Sequence, residues 1–391
     1  MTATSISLYL HIPFCKHRCA YCDFNTYTSL LDLREAYAEG LVTELAQVAG
    51  EARWPAHTIF FGGGTPSLMS PASLGRILDG VRAYFALAAD AEVTMEANPG
   101  TVDLDYLTAV HQAGINRISF GVQSVIPSEL ALLEREHDFA TVVEAVQMAR
   151  QAGLDNFNLD LIYGMPGQTL PSWEQSLRAV LDLDPAHLSL YCLTIEPGTP
   201  MQRWLLNGRI QPPDPDLAAD QYELACALLA EHGYDHYEIS NWAKPGKACE
   251  HNLTYWRNGD YLGLGAGAHG HAAGVRYHIV KQPRVYLRRL QESTVPGYPL
   301  STAVAESHAV SRNEAISDTI MTQLRLLNEG LDLAAFEAKF GQSVAEIYDG
   351  TLDQMLAWEL VGVQDGRLRL TQKGWFLSNQ VFYRFMLDEA S

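Results

Sequence analysis

At 391 residues, with 47% hydrophobic and 19% charged positions, the chain can bury a sizeable core and is neither a disordered nor a fibrous sequence. Its net charge of −19, with no Lys/Arg run, argues against nucleic acid as a partner, and no apolar stretch is long enough to span a bilayer. The N-terminus lacks the basic and apolar regions of a signal peptide, so a cytoplasmic protein is expected.

Through the first half, short β-branched or aromatic runs alternate with helical patterns, which predicts βα units and a parallel sheet. The expected strands are Ile6–His11, Thr58–Phe61, Glu92–Glu96, Arg117–Val122, Asn156–Ile162 and His187–Leu193. After the first of them, Tyr37, Leu41, Leu45 and Val48 recur at the spacing of one buried helix face. Six such units predict an α/β fold, an incomplete TIM-like (β/α)6 barrel whose working face lies where the strands end. Asp214-Pro215 then opens a helix as N-cap and first residue, and Gly233 closes it. An aromatic, Gly-rich segment runs from Tyr234 to about Tyr277, and residues 283–299 read as a connection.

Beyond the connection, Ile316, Ile320, Leu324 and Leu327 stripe one helix, Ser343 and Glu346 suit a capping box, and Asp365-Gly366 suits a hairpin turn. The expected division is 1–282, a partial barrel with its accessory segment, and 300–391, a C-terminal winged-helix-like α+β domain. Winged helices often bind DNA. Residues 312–391, however, carry seven Lys/Arg against twelve Asp/Glu, which favours an interaction or lid role.

Of six cysteines, three crowd into eight positions in His-Ile-Pro-Phe-Cys-Lys-His-Arg-Cys-Ala-Tyr-Cys-Asp-Phe, directly after the first strand. Thiolates from Cys15, Cys19 and Cys22, spaced C-x3-C-x2-C, can wrap a cube of iron and sulfide and leave one of its four irons without a protein ligand. An open Lewis-acidic iron suits chelation by the amino and carboxylate groups of a methionine moiety. The competing readings are a Cys3His zinc site using His11 or His17, and thiols that are merely packed or paired in a disulfide. Structural zinc sites more often come as paired knuckles, and a loop with Lys16 and Arg18 is a poor place for simple packing.

This motif resembles that of the radical SAM superfamily. Tyr9-Leu10-His11-Ile12-Pro13-Phe14-Cys15 and Cys22-Asp23-Phe24 resemble the oxygen-independent coproporphyrinogen III oxidase family and its HemW-type haem-chaperone relatives, with similarity over nearly the whole chain. The resemblance implies a [4Fe–4S] cluster on the three cysteines and S-adenosylmethionine (SAM) on its open iron, the source of a 5′-deoxyadenosyl radical. It also implies that Tyr9, Gly63 and Glu96 contact that SAM. Tyr21, Gly64, Thr65, Gln123, Arg135 and Asp160 match positions around a second SAM in the oxidase, although one molecule is expected here. Read on their own, Gly62-Gly63-Gly64-Thr65 is a turn whose backbone can approach a ligand, and a carboxylate or amide at a strand end suits a ribose diol. Arg135 suits a carboxylate. Each taken alone reads more readily as a plain turn or a structural ion pair, and it is together that they form a pattern.

Two features point away from the oxidase. The oxidase carries a further cysteine two residues after its third cluster cysteine, where this chain has Phe24, and only eight residues precede Tyr9, so its N-terminal extension is not expected. The resemblance therefore implies a haem chaperone that binds haem and passes it to acceptor proteins, leaning to a non-enzymatic carrier. The alternatives are coproporphyrinogen decarboxylation or a radical SAM methyltransferase. Haem needs an apolar slot and usually an axial His or Cys. The candidates are Cys249, His251 in His-Asn-Leu-Thr-Tyr-Trp, and His269 and His271 in the Gly-rich loop, with Tyr255 and Trp256 as wall. A His beside aromatics is also an ordinary hydrogen-bonded core residue. Cys192 and Cys226 read as packing residues.

Overall fold

The computed structural model describes residues 5–292, 294 and 296–387. Strands β1 (Ile6–Ile12), β2 (Pro55–Gly63), β3 (Ala86–Ala97), β4 (Arg117–Gln123), β5 (Phe157–Tyr163) and β6 (His187–Cys192) pair in parallel in chain order. All six expected strands are present. The largest difference is at β3, which starts at Ala86 where Glu92 was expected, because Ala86 and Leu87 already pair with Pro55 and Ala56 before a register shift.

Side-chain alternation sorts each strand into two faces. On one, Leu8, Leu10, Ile59, Phe61, Val93, Met95, Ile118, Phe120, Leu159 and Leu188 are buried. The intervening helices supply matching apolar stripes, such as Tyr37, Leu41, Leu45 and Val48 of the helix Arg34–Ala49. The opposite, inner face is polar. Register places Tyr9 beside Phe60, Glu96 beside Ser119, Ser119 beside Asn158, and Asp160 beside Ser189.

The chain divides into two compact units, 1–228 with 260–308, and 229–259 with 309–391. This boundary differs from the expected 1–282 and 300–391. The segment holding β7 (Asp235–Glu238), β8 (Asn241–Ala243) and the helix Glu250–Trp256 falls in the second unit. Contacts distant in sequence decide this: Leu327 N–H donates to Tyr237 O (3.0 Å), and Tyr237, Ala243 and Leu253 pack with Leu326.

The first unit's sheet also extends past β1. Strands β9 (Tyr261–Leu264), β10 (His269–Ala272), β11 (Val275–Ile279) and β12 (Val304–Ala309) give the order β12-β11-β10-β9-β1-β2-β3-β4-β5-β6. β9 runs parallel to β1, whereas β10 and β11 form an antiparallel hairpin. These strands were not expected, because all four are short and β9 and β10 each carry a glycine, which β-propensity disfavours. The glycines are required by close approach: a Cβ on Gly263 would lie 1.8 Å from His269 O, and one on Gly270 2.2 Å from the Tyr277 ring.

Part of the expected connection at 283–299 is likewise structured. Pro283–Arg289 is a helix N-capped by Gln282, and its Tyr286 is fully buried. Tyr286 Oη donates to Glu44 Oε2 (2.7 Å), which also accepts from Gly265 N (2.8 Å), while Ser301 Oγ donates to Glu44 Oε1 (2.7 Å). One buried carboxyl thus ties the helix Arg34–Ala49 to three distant segments; desolvation raises its proton affinity, and the three hydrogen bonds oppose that rise.

In the second unit the helix Arg312–Gln323 and the helix Val344–Ile347 both start with the capping box that pairs Ser311 with Glu314 and Ser343 with Glu346. Strands β13 (Leu331–Asp332), β14 (Val361–Gln364) and β15 (Arg367–Leu370) form an antiparallel sheet in the order β13-β15-β14. Asp365 (φ 51°) and Gly366 (φ 72°) turn the β14–β15 hairpin as the Asp-Gly pair predicts. Ile316, Ile320, Leu324, Phe336, Met355, Leu368 and Phe385 form the core of this small winged-helix-like unit.

Candidate active site at the cysteine loop

The cysteine loop leaves β1 at its C-terminal end, the working end of a parallel barrel. Its two ends are clipped together by Tyr27 N–H to Pro13 O (2.7 Å) and Cys15 N–H to Tyr27 O (3.2 Å). The loop is then docked on the glycine motif, where Gly64 N–H donates to Ile12 O and Thr65 N–H to Phe14 O, both at 2.8 Å. A Cβ on Gly64 would lie 2.7 Å from both acceptor oxygens, and one on Gly63 would lie 2.3 Å from the His11 ring. Glycine is therefore demanded here by the protein's own close packing, before any ligand is considered.

All six cysteines are free thiols, which removes the disulfide reading. Thr65 Oγ1 donates to Cys15 Sγ and Arg135 Nη1 to Cys19 Sγ, each at 3.5 Å. Burial pushes the Cys15 and Cys22 thiols up from their ordinary value, and the neighbouring cysteines push in the same direction. The three sulfurs therefore lie close enough to feel one another's charge. The zinc reading fails on its histidines: His11 is engaged at Nδ1 by Tyr9 Oη and at Nε2 by Asn25 O, both at 3.0 Å, while His17 lies 3.6 Å from Glu134. Among the described residues no three His, Cys, Asp or Glu side chains are gathered tightly enough for a single ion. Three sulfurs serving three separate irons of a cubane need wider spacing than that.

Behind the loop, the inner face of the sheet presents the other predicted residues. Glu96 Oε2 accepts from Gly63 N–H at 3.0 Å. Desolvation, then the neighbouring Asp160, raise its carboxyl to about 8, against the opposing pull of that hydrogen bond. Asp160 is also raised by desolvation, although Asn158 Nδ2 (2.7 Å) and Ser119 Oγ (3.1 Å) donate to it. Tyr9 stacks on Phe60 at 6.3 Å, and burial raises both its phenol and that of Tyr21. Gln123 adopts φ 70° at a register shift in β4, a costly conformation for a side-chain-bearing residue. Its amide and Arg135 converge over Gly121, where a Cβ would lie 2.9 Å from Gln123 Nε2 and 3.2 Å from Arg135 Nη2.

The donor set suits a zwitterion. Asp160 raises the proton affinity of Glu96, desolvation raises both carboxyls, and the pair would be relieved by an ammonium group or by hydroxyl donors. Opposite them, Arg135 Nε is buried with no hydrogen-bond partner, an open donor for a carboxylate. The pairwise contacts thus bring Tyr9, Tyr21, Gly63, Gly64, Thr65, Glu96, Gln123, Arg135 and Asp160 into one surface beside Cys15, Cys19 and Cys22.

The haem candidates are divided between the two units. Cys249 and His251 lie in the second unit, both buried, and His251 Nε2 is taken up by Tyr255 Oη at 2.8 Å. His271 packs edge-on to Tyr261, and His269 is exposed on β10. Desolvation, then His278 and Lys281, lower the His269 imidazole.

Sequence reasoning missed the polar network below the site. His187 Nδ1 pairs with Asn158 Oδ1 (2.7 Å), Asn158 Nδ2 donates to Ser119 Oγ (2.7 Å), and Ser189 Oγ donates to Asn158 Oδ1 (3.2 Å). Its signal was present as polar residues two apart within otherwise apolar strands: Arg117 and Ser119, Asn158 and Asp160, His187 and Ser189.

Residues 9–180 match the Radical SAM superfamily, and residues 310–377 match the HemN C-terminal domain. The heme chaperone HemW of Bacillus subtilis is 35% identical over 382 residues, covering 97% of this chain and 99% of that protein. The chain belongs to the HemW family of radical SAM proteins. The heme chaperone HemW of Escherichia coli is 47% identical over 269 residues, 68% of this chain and 70% of its own length. Among solved structures, coproporphyrinogen III oxidase (HemN) from Escherichia coli, a radical SAM enzyme, superposes with a TM-score of 0.84 at 26% identity. That superposition covers 98% of this chain and 90% of that one. Radical SAM membership implies a [4Fe–4S] cluster and SAM, which agrees with the trio of thiols and with a donor set suited to a zwitterion. No helix among the described residues is long and apolar enough to cross a membrane.

Proposed function

We propose that this protein is a cytoplasmic haem chaperone that holds haem and hands it to acceptor proteins, with a cluster and SAM seated at the barrel's working face. The observation that carries the reading is the near full-length likeness to heme chaperone HemW proteins. It is supported by Phe24 standing where the oxidase has its additional cysteine.

In this reading Cys15, Cys19 and Cys22 ligate three irons, and the cluster supplies a one-electron reductant and an open iron for SAM. Thr65, already hydrogen-bonded to Cys15, favours the thiolate form that ligation requires, and Arg135 donates to Cys19 Sγ. Glu96 receives the amino group of SAM, Asp160 and Gln123 face its ribose, and Arg135 holds a carboxylate. Tyr9 and Phe60 wall the site against water.

A second reading, oxidative decarboxylation of coproporphyrinogen III, is favoured by the close superposition on that oxidase. One experiment separates the two. Anaerobically reconstituted protein is titrated with hemin and, in parallel, incubated with coproporphyrinogen III, SAM and a reductant. A saturable Soret band without decarboxylated product supports the chaperone, and conversion to protoporphyrinogen would overturn it.

A further inference from the structure

Polar side chains buried inside a parallel sheet carry a desolvation cost, so a row of them that is completely paired calls for a reason. Ser119 of β4 pairs with Asn158 of β5, which pairs with His187 of β6, and these three side chains form one row across the inner face. The next row towards the working end is Gly121, Asp160 and Ser189. All three residues of the first row are buried, Asn158 at 2% and His187 at 0% exposure. In the second row Gly121 leaves the space over which Gln123 and Arg135 converge. Asp160 therefore stands between the ligand-facing side chains and a paired polar row behind it.

Every hydrogen-bonding position of the Asn158 amide is used. Its Nδ2 donates to Asp160 Oδ1 and to Ser119 Oγ, both at 2.7 Å, while its Oδ1 meets His187 Nδ1 (2.7 Å) and accepts from Ser189 Oγ (3.2 Å). Ser119 Oγ, having accepted from Asn158, passes its own proton to Asp160 Oδ2 at 3.1 Å. Both oxygens of Asp160 are thus held from behind, one by the amide and one through Ser119. The direction of this chain is set at His187. A carboxylate only accepts, so the amide edge beside Asp160 is the NH2, and the carbonyl edge turns to His187, which must carry its proton on Nδ1. Burial, then Arg117, hold that imidazole well below its ordinary value, so it is neutral and has one N–H to give.

The same chain acts on the charge of Asp160. Burial raises its carboxyl, and Asn158 opposes that rise more than Ser189, Ser119 or Arg117 does. The charged and titratable groups around it are Glu96 of β3, Arg117 of β4, His187 of β6 behind Asn158, and Arg135 with Tyr21.

Resting on the assignment of this surface to SAM, we propose that Asn158, oriented by His187, is a positioning residue that fixes the Asp160 carboxylate as an acceptor for the hydroxyl donors of the bound nucleotide. Both residues act through Asp160.

The test is SAM binding to the full-length, anaerobically reconstituted protein from pH 6 to pH 9, comparing wild type with Asn158→Leu, His187→Phe and His187→Gln. Asn158→Leu and His187→Phe should each bind SAM roughly fivefold more weakly at pH 7, with a deficit that shrinks towards pH 9, because Asp160 short of its donor titrates at higher pH. His187→Gln keeps an N–H for the Asn158 oxygen and should bind within about twofold of wild type. Glu96 titrates in all four proteins, so the readout is each profile relative to wild type. Iron and sulfide contents should match wild type throughout. Should Asn158→Leu not fold, Ser119→Ala removes one donor without adding bulk and should displace the profile in the same direction. The proposal is overturned if Asn158→Leu and His187→Phe bind SAM with the wild-type profile. A loss that is equal at every pH and shared by His187→Gln also overturns it, since simple destabilisation produces that pattern. Wild type that binds no SAM refutes the assignment of the surface, a separate failure.

Discussion

Gly64→Ala offers the sharpest perturbation of the cysteine loop, because the added methyl would meet only backbone. Its Cβ would lie 2.7 Å from Ile12 O, 2.7 Å from Phe14 O and 3.0 Å from Phe14 N, none of which can rotate away. The loop must lift, stretching the 2.8 Å hydrogen bonds from Gly64 N to Ile12 O and from Thr65 N to Phe14 O. Overpacking costs about 1–3 kcal/mol. Weakening the two bonds adds roughly 1 kcal/mol each. The total of about 3–5 kcal/mol falls on the loop that positions Cys15, so the variant should retain less than half of wild-type iron and sulfide after reconstitution.

The control is Gly75→Ala in the helix Pro71–Tyr84, where a Cβ meets nothing closer than Ala113 Cβ at 3.8 Å. There the same substitution should stabilise by roughly 0.5–1 kcal/mol, since alanine loses less backbone entropy in a helix. Iron and sulfide counts with thermal melts read both. A Gly64→Ala protein with full cluster content and an unchanged melting temperature would refute the steric argument.

Three further outcomes are expected. Replacing Cys15, Cys19 and Cys22 together by alanine should abolish iron and sulfide uptake while leaving the far-ultraviolet circular dichroism intact; retained iron would mean that the ligands lie elsewhere. Glu96→Gln should stabilise the apo protein by about 1–3 kcal/mol above pH 7. The folded carboxyl titrates near 8 against an ordinary 4.5, so wild-type stability falls as pH rises through that window. SAM binding should weaken in the same variant, and urea melts at pH 5 and pH 8 with SAM titrations check both. Desolvation holds His137 and His236 near 4, well below 6.5. Because the unfolded chain binds more protons between those values, each should contribute up to about 3 kcal/mol that is present above pH 6.5 and lost towards pH 4. A urea midpoint that did not fall over that range would contradict the assignment, and His236→Gln should flatten it.

Much of the site was legible because its chemistry is local. C-x3-C-x2-C within one loop reports a shared ligand without any knowledge of packing, and strand-end residues such as Glu96 and Gln123 follow from period-two alternation. Less legible were residues whose meaning depends on a partner far along the chain. Asn25 reads as an ordinary loop asparagine, yet it bridges to Ala266 and Lys281. Pro283–Arg289 reads as linker, yet its Tyr286 reaches Glu44.

The six βα units, the trio of sulfur donors, the capped helices of the C-terminal unit and the Asp365-Gly366 hairpin are readable in the chain, because periodicity, capping and turn chemistry act over a few residues. Long-range packing sets the rest: β9 to β12 extend the sheet beyond β1, 229–259 belongs with 309–391, and His269 meets His278. Those outcomes depend on which edges and apolar faces meet across hundreds of residues. Short strands carry little local preference of their own, so their conformation is set by the partner that satisfies their backbone hydrogen bonds.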